Sequence, residues 1–181
     1  MAPTPQVRLG RVAGLAISAR PSAFASSLVL WMLAGGFARL VLQQPLALAV
    51  AGGALVLVLH WVGDIWHQLG HGWAARRTGY PMSGIRLWYL LSTALYPADE
   101  PPLPVAIHVR RALGGAQGSL VLSVVAGALA VALRTGAGAL WWVLVFFFLD
   151  NLAVFTLGAF LPLGFTDGST LLRLRREHKR S

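Results

Sequence analysis

Cysteine is absent from this 181-residue chain, and acidic side chains number only six. The first absence excludes disulfides and thiolate metal ligands, so a transition metal would have to be held by imidazole nitrogen and carboxylate oxygen. Charged residues of all kinds make up 12% of the sequence against 56% hydrophobic. In an ordinary soluble domain roughly a quarter of the residues are charged, so this composition belongs to an integral membrane protein. Also missing are the short apolar core and small-residue cleavage site of a secretory leader, because Arg8, Arg11 and Arg20 punctuate the first twenty residues. Residues 1–23 read instead as a retained, partly amphipathic basic arm.

Four apolar runs are present, at residues 24–42, 46–75, 113–133 and 139–165, each meeting the ~20 residues a helix needs to cross the hydrocarbon. The second and fourth are longer than required, so each tilts, breaks or passes the membrane surface. The expected fold class is an all-α membrane protein of about four transmembrane helices. It forms one domain over 24–172 with a basic tail at 173–181. Between spans two and three lies one long non-spanning stretch, 78–110. Its part from Tyr80 to Tyr96 is rich in aromatic and β-branched residues and alternates imperfectly, which predicts a short membrane-associated β-hairpin, with a re-entrant segment as the competing reading. The run Pro97-Ala-Asp-Glu-Pro-Pro-Leu-Pro104 must be an extended link, since proline removes backbone donors and pushes its predecessor away from helix. Pro162, Gly164 and Gly168 interrupt the end of span four, and non-helical backbone at membrane depth is tolerated only against protein or a wet cavity.

The net charge of +9 sorts by side of the membrane. Arg8, Arg11, Arg20, Arg76, Arg77, Arg86, Arg110, Arg111, Arg173, Arg175, Arg176, Lys179 and Arg180 fall on one side of a four-span topology. Arg134 and Arg39 remain for the other. Cytoplasmic loops carry the excess of Lys and Arg, which puts both termini and the middle loop in the cytoplasm of what is most simply a prokaryotic plasma membrane. The basic balance reads as topology and contact with anionic lipid; no basic face with interleaved aromatics points to nucleic acid.

Span two carries His60, Asp64, His67 and His71 on one helical stripe. Ionisable side chains inside spans are costly and therefore functional candidates. In His67-Gln-Leu-Gly-His71 the two imidazoles stand four residues apart, so both can face one tetrahedral metal. Asp167, in the Pro/Gly-broken stretch, is the natural third ligand and would leave a fourth position for water. Two histidines, one aspartate and water describe an open catalytic zinc site holding one Zn2+. The residue after the first histidine is Gln68, where the hydrolytic motif His-Glu-x-x-His has a glutamate as general base. A neutral amide cannot accept that proton.

The run from His67 to Tyr80 resembles the first motif of the site-2 protease family of intramembrane zinc metallopeptidases, His-Glu-x-Gly-His followed by a basic helix end. Leu161-Pro-Leu-Gly-Phe-Thr-Asp-Gly168 is similar to that family's second motif, Leu-Pro-x-x-x-Leu-Asp-Gly, which supplies the aspartate ligand. Arg111-Ala-Leu-Gly-Gly-Ala-Gln-Gly-Ser119 resembles its intervening Gly-Pro-x-x-Asn segment. The resemblance covers about residues 46–172 and implies a three-helix metalloprotease core, with span one as an addition. It also implies roles near the site for Ser119 and Gly168. The departures are Gln68 for the base, Ala116 and Ser119 for Pro and Asn, and Thr166 for Leu.

The expected function is a site-2-protease-like zinc metallopeptidase acting on transmembrane substrates, with hydrolysis impaired or absent and Gln68 hydrogen-bonding the metal's water. The alternative is a pseudoprotease that binds transmembrane segments or partner proteins without cutting them. A bis-His haem bundle using His60 and His67 or His71 with His108 is a third reading. His60 is expected to hydrogen-bond in the packing or lie on the substrate path. Asp64 is expected to orient His67 or His60 as a carboxylate behind the ligands. Asp99 and Glu100 lie in a loop able to reach the cytoplasmic mouth. Asp150 and Asn151 are expected to bond between helices.

Overall fold

The computed structural model describes residues 5–135, 139–164 and 166–178. Its elements run β1 (Val7–Val12), β2 (Leu15–Ala19), α1 (Pro21–Leu40), α2 (Leu46–Arg77), β3 (Gly84–Trp88), β4 (Leu91–Leu95), α3 (Val105–Ala132), α4 (Ala139–Asp150), a π-helix (Asn151–Leu157), a 3-10 turn (Gly158–Phe160) and α5 (Asp167–His178). Among the described residues, four helical segments are long and apolar enough to cross a membrane: Pro21–Leu40, Leu46–Arg77, Val105–Ala132 and Leu140–Phe160.

Proline sets where three of these helices start. Pro21 opens α1, Pro45 caps α2, and Pro104 caps α3 after the proline-rich link. Its fixed φ and missing N–H suit a helix start and nothing later. Because α3 begins at Val105, it runs eight residues further back than the apolar run that announced it, which started at 113. Arg110 and Arg111, expected in the loop, therefore lie within its first two turns, and Arg111 is buried. Hydropathy locates the greasy middle of such a helix and misses the polar turns on which it begins.

The hairpin expected between Tyr80 and Tyr96 is present as β3 and β4, antiparallel with Leu87 opposite Ser92. Tyr89, at φ 50, makes the tight connection. The basic arm, for which the sequence predicted no element, contributes strands. Residues 7–19 form a second hairpin turning through Ala13 and Gly14, both at positive φ, and β2 pairs in parallel with β3. A four-stranded sheet in the order β1-β2-β3-β4 results, with two helices between its halves in the chain. Leu15, Ala75, Met82 and Ile85 form the buried cluster that seats this sheet on the end of α2.

Among the membrane helices, α2 and α3 approach most intimately where Gly70 faces Gly114. A side chain at either would run into the other's backbone, so the glycines set the spacing that lets α3 reach the histidine stripe. The fourth span is α-helical only to Asp150. From Asn151 the helix widens to π geometry, with Thr156 Oγ1 donating to the Asn151 carbonyl at 2.9 Å and Asn151 Nδ2 donating to the Phe147 carbonyl at 2.8 Å. Local π turns often mark functional positions. Here one delivers Phe155 against the rings of His60 and His67, with centroids 5.2 and 6.0 Å apart.

Candidate metal centre

His67 and His71 lie one turn apart on α2 and point the same way, as four-residue spacing on a helix dictates. Their Nε2 atoms are 3.0 Å apart. Asp167 begins α5, after the chain has left the fourth span and turned through Pro162 and Gly164, the latter at φ 90. Ser169 Oγ, 2.6 Å from the Gly164 amide, accepts its hydrogen bond, and Thr166 hydroxyl donates to the Leu161 carbonyl. This turn brings Asp167 Oδ2 to 3.6 Å from His67 Nε2 and 3.4 Å from His71 Nε2. Gly168 is held so close to the Phe160 carbonyl that any side chain there would overlap it.

The donor set can be tested against zinc. A tetrahedral ion with bonds of about 2.0–2.1 Å separates its ligand atoms by roughly 3.3 Å. The three pairs here fall at 3.0, 3.4 and 3.6 Å. The far ring nitrogens are also arranged suitably. His71 Nδ1 lies 2.7 Å from the Arg111 carbonyl, so it donates there and leaves Nε2 with its lone pair. The Gly115 amide lies 3.3 Å from the same Nδ1; the shorter contact sets the tautomer. His67 Nδ1 is 3.1 Å from Ser119 Oγ. Imidazoles oriented by a partner behind them are the usual company of a bound metal. Gly115 leaves the space, since a Cβ there would overlap Nε2 of both rings. The residues present fit a zinc ion, and His67, His71 and Asp167 are the single such cluster among the described residues.

Around these side chains lies a cavity of about 510 Å³ bounded by α2, β4, the π-helix and the start of α5. Gln68 faces it but is not free. Its Nε2 donates to the Ser92 carbonyl at 3.1 Å, while Oε1 is buried without a partner among the described residues. The side chain expected to serve the metal's water is thus tied to the sheet through its donor end. Asp64 Oδ1 accepts from the Ser92 amide at 3.1 Å and makes no hydrogen bond to His67 or His60 among the described residues. His60 sits between two oxygen partners, with Nδ1 3.2 Å from Asp150 and Nε2 2.7 Å from the Leu90 carbonyl. Both its nitrogens are engaged, which removes it as a haem ligand. Asp150 does bond between helices, whereas Asn151 bonds within its own.

Sequence reasoning missed Arg111. Its guanidinium forms an ion pair with Glu100, donates to the Tyr80 carbonyl and stacks 4.1 Å over the Tyr96 ring. The hydrogen bonds from Arg111 hold the Glu100 carboxyl below its usual range, against the opposing effect of burial. Through its backbone carbonyl the same residue meets His71, so one residue of α3 joins the proline-rich link, by its side chain, to the histidine helix, by its main chain. Glu100 and His108 line the cavity with Arg111. The basic tail is described only as far as His178, within α5; Lys179 and Arg180 lie outside the described residues, as do residues 1–4.

Two histidines on a membrane helix and an aspartate at the start of α5 converge beside a small sheet, the arrangement of a candidate metal centre in a membrane-spanning fold. No protein-family profile matches the chain. Curated relatives do: the chain is 33% identical over 188 residues to "Putative zinc metalloprotease Rip3" of Mycobacterium tuberculosis, in strains H37Rv and Erdman alike. The match takes in 95% of this chain and 44% of each relative, so the chain spans less than half the length of the curated proteins it matches. Among solved structures, the Site-2 Protease from Methanocaldococcus jannaschii shares the fold at a TM-score of 0.67 and 17% identity, covering 97% of this chain and 73% of that one. The chain is thus similar in sequence to putative zinc metalloproteases and has the fold of a site-2 protease.

Proposed function

We propose that the chain is an intramembrane zinc protein of the site-2 protease type whose hydrolysis of transmembrane substrates is impaired or lost. The convergence of His67 Nε2, His71 Nε2 and Asp167 Oδ2 carries this reading. These three side chains hold one Zn2+, while Ser119 and the Arg111 carbonyl orient the rings. When bound, zinc lowers the pKa of a coordinated water to near 7 and polarises carbonyl groups. Gln68 stands where the proton of that water would be taken, and an amide cannot take it. Losing positioned proton transfer costs about 10²–10⁴-fold in rate. The cavity between the histidines and β4 is the place for an unwound stretch of a membrane-spanning peptide.

The second reading, a pseudoprotease that grips transmembrane segments or partners without cutting them, is favoured by the engagement of Gln68 with Ser92. In both readings the basic residues counted above on one side of the membrane, other than Arg111, twelve in all, set the orientation, with termini and cavity mouth on the cytoplasmic side of a prokaryotic plasma membrane.

Cleavage of a membrane-spanning peptide by zinc-loaded protein and its Gln68→Glu variant separates the readings. Activity gained by the variant supports the protease type; continued inactivity supports the pseudoprotease. Equal, rapid cleavage by both would overturn the proposed impairment.

A further inference from the structure

Ser92 is the second residue of β4, an edge strand of the sheet, opposite Leu87 of β3. In an antiparallel ladder the N–H and C=O of one residue point to the same side, alternating between partner strand and open edge. Both groups of Ser92 are satisfied from α2: its N–H by Asp64 Oδ1 and its C=O by Gln68 Nε2, each at 3.1 Å. The Ser92 pair therefore faces the open edge, and two side chains one helical turn apart stand where an added peptide strand would bond. Asp64 is only 2% exposed and Gln68 3%. Their other oxygens, Asp64 Oδ2 and Gln68 Oε1, are buried with no partner among the described residues. Both residues line the cavity that contains the histidines.

We propose that Asp64 and Gln68 form a side-chain clamp that closes the β4 edge at Ser92, so that an extended peptide entering the cavity must displace it. The carboxamide is essential to this role. A carboxylate at position 68 has no hydrogen to give the Ser92 carbonyl, so Gln68→Glu restores a base and opens the edge at once. Gln68 is then a gatekeeping residue with its own task, not merely a vacancy in a catalytic set. The proposal rests on reading the cavity as a peptide site.

The test uses the full chain, zinc-loaded, in lipid nanodiscs, with amide exchange followed over residues 89–96 and binding of a short labelled peptide of alternating valine and threonine. Asp64→Ala should speed exchange at the Ser92 amide about fivefold or more, the effect of one lost hydrogen bond, whereas Gln68→Ala frees only the Ser92 carbonyl and is read by peptide binding. Asp64→Asn keeps an oxygen for the Ser92 amide and should exchange like wild type, which a base role for Asp64 would not require. Gln68→Ala and Gln68→Glu should bind the peptide about fivefold or more tightly than wild type. Equal exchange at Ser92 in wild type and Asp64→Ala overturns the Asp64 half of the clamp. Peptide binding that is unchanged, weaker or absent in Gln68→Ala overturns the closure of the edge. Zinc content is read on the same samples: its loss from every sample with the exchange pattern intact would defeat the zinc reading and leave the clamp standing. If Asp64→Ala does not fold, Asp64→Asn and Gln68→Ala carry the test.

Discussion

Ser119 holds its hydroxyl oxygen 3.1 Å from Nδ1 of His67, across the interface between α3 and α2. The serine is completely buried, and Ser123 Oγ in turn donates to its carbonyl at 2.8 Å. Removing the hydroxyl leaves the far nitrogen of His67 without its partner and the ring free to turn. Ser119→Ala should lower zinc affinity about 10–100-fold, the usual effect of losing a group that orients a ligand. Competition against a chelator of known affinity measures this, and an unchanged affinity would remove Ser119 from the support of the site.

Gly115 provides the room in which both Nε2 atoms sit. In Gly115→Ala the new methyl takes the place of a ligand atom, so α3 must retreat or the rings must swing away. Zinc binding should be abolished even where the protein still folds. Gly52→Ala on α2, where a Cβ meets nothing within 4 Å, is the matched control and should bind zinc like wild type. Metal analysis of the two variants side by side distinguishes space at the site from general intolerance of helix glycines.

The Glu100–Arg111 ion pair gives the proline-rich link a pH dependence. A carboxylate whose folded pKa lies below its ordinary 4.5 adds stability that is fully present above that value and fades as pH falls through the lower folded one. Protection over residues 97–104, with the intrinsic pH dependence of amide exchange divided out, should accordingly be constant from neutral pH down to the ordinary glutamate range and should fall only below it. Glu100→Gln should show the loosened link already at neutral pH. A link equally protected in both proteins would mean that the prolines alone hold it.

His60 and Asp150 tie α2 to α4 through a buried contact of 3.2 Å. Breaking a buried pair by removing one partner typically costs about 3–5 kcal/mol. Asp150→Ala should lower the melting temperature in detergent clearly while leaving zinc content unchanged, since neither residue belongs to the ligand cluster. Loss of zinc in this variant would show that His60 acts on the metal site.

The sequence made the spans legible because hydropathy over some twenty residues is a strong signal, and the hairpin legible because Tyr80 to Tyr96 lies between a helix end and a proline run. Pairing of β2 with β3 was not legible. Leu15-Ala-Ile-Ser-Ala19 has no distinctive strand pattern, and its partner lies two membrane helices further along the chain. The candidate ligands could be listed from the four-residue histidine spacing and the broken stretch before Asp167. What Gln68 and Asp64 touch could not, because Ser92 offers backbone atoms, and no side-chain pattern announces a backbone partner. Arg111 was misjudged for a related reason: a basic residue near a membrane boundary reads as a topology marker until Glu100 and Tyr96 are seen to enclose it.

The zinc content of purified wild type, His67→Ala, His71→Ala and Asp167→Ala, measured by elemental analysis on chains shown to be folded, tests the central claim most directly. About one zinc per wild-type chain and a marked loss in each variant is the expected result, as for a three-residue zinc site. Equal zinc in wild type and Asp167→Ala, or none in wild type after loading, would contradict the assignment of these residues as a metal centre.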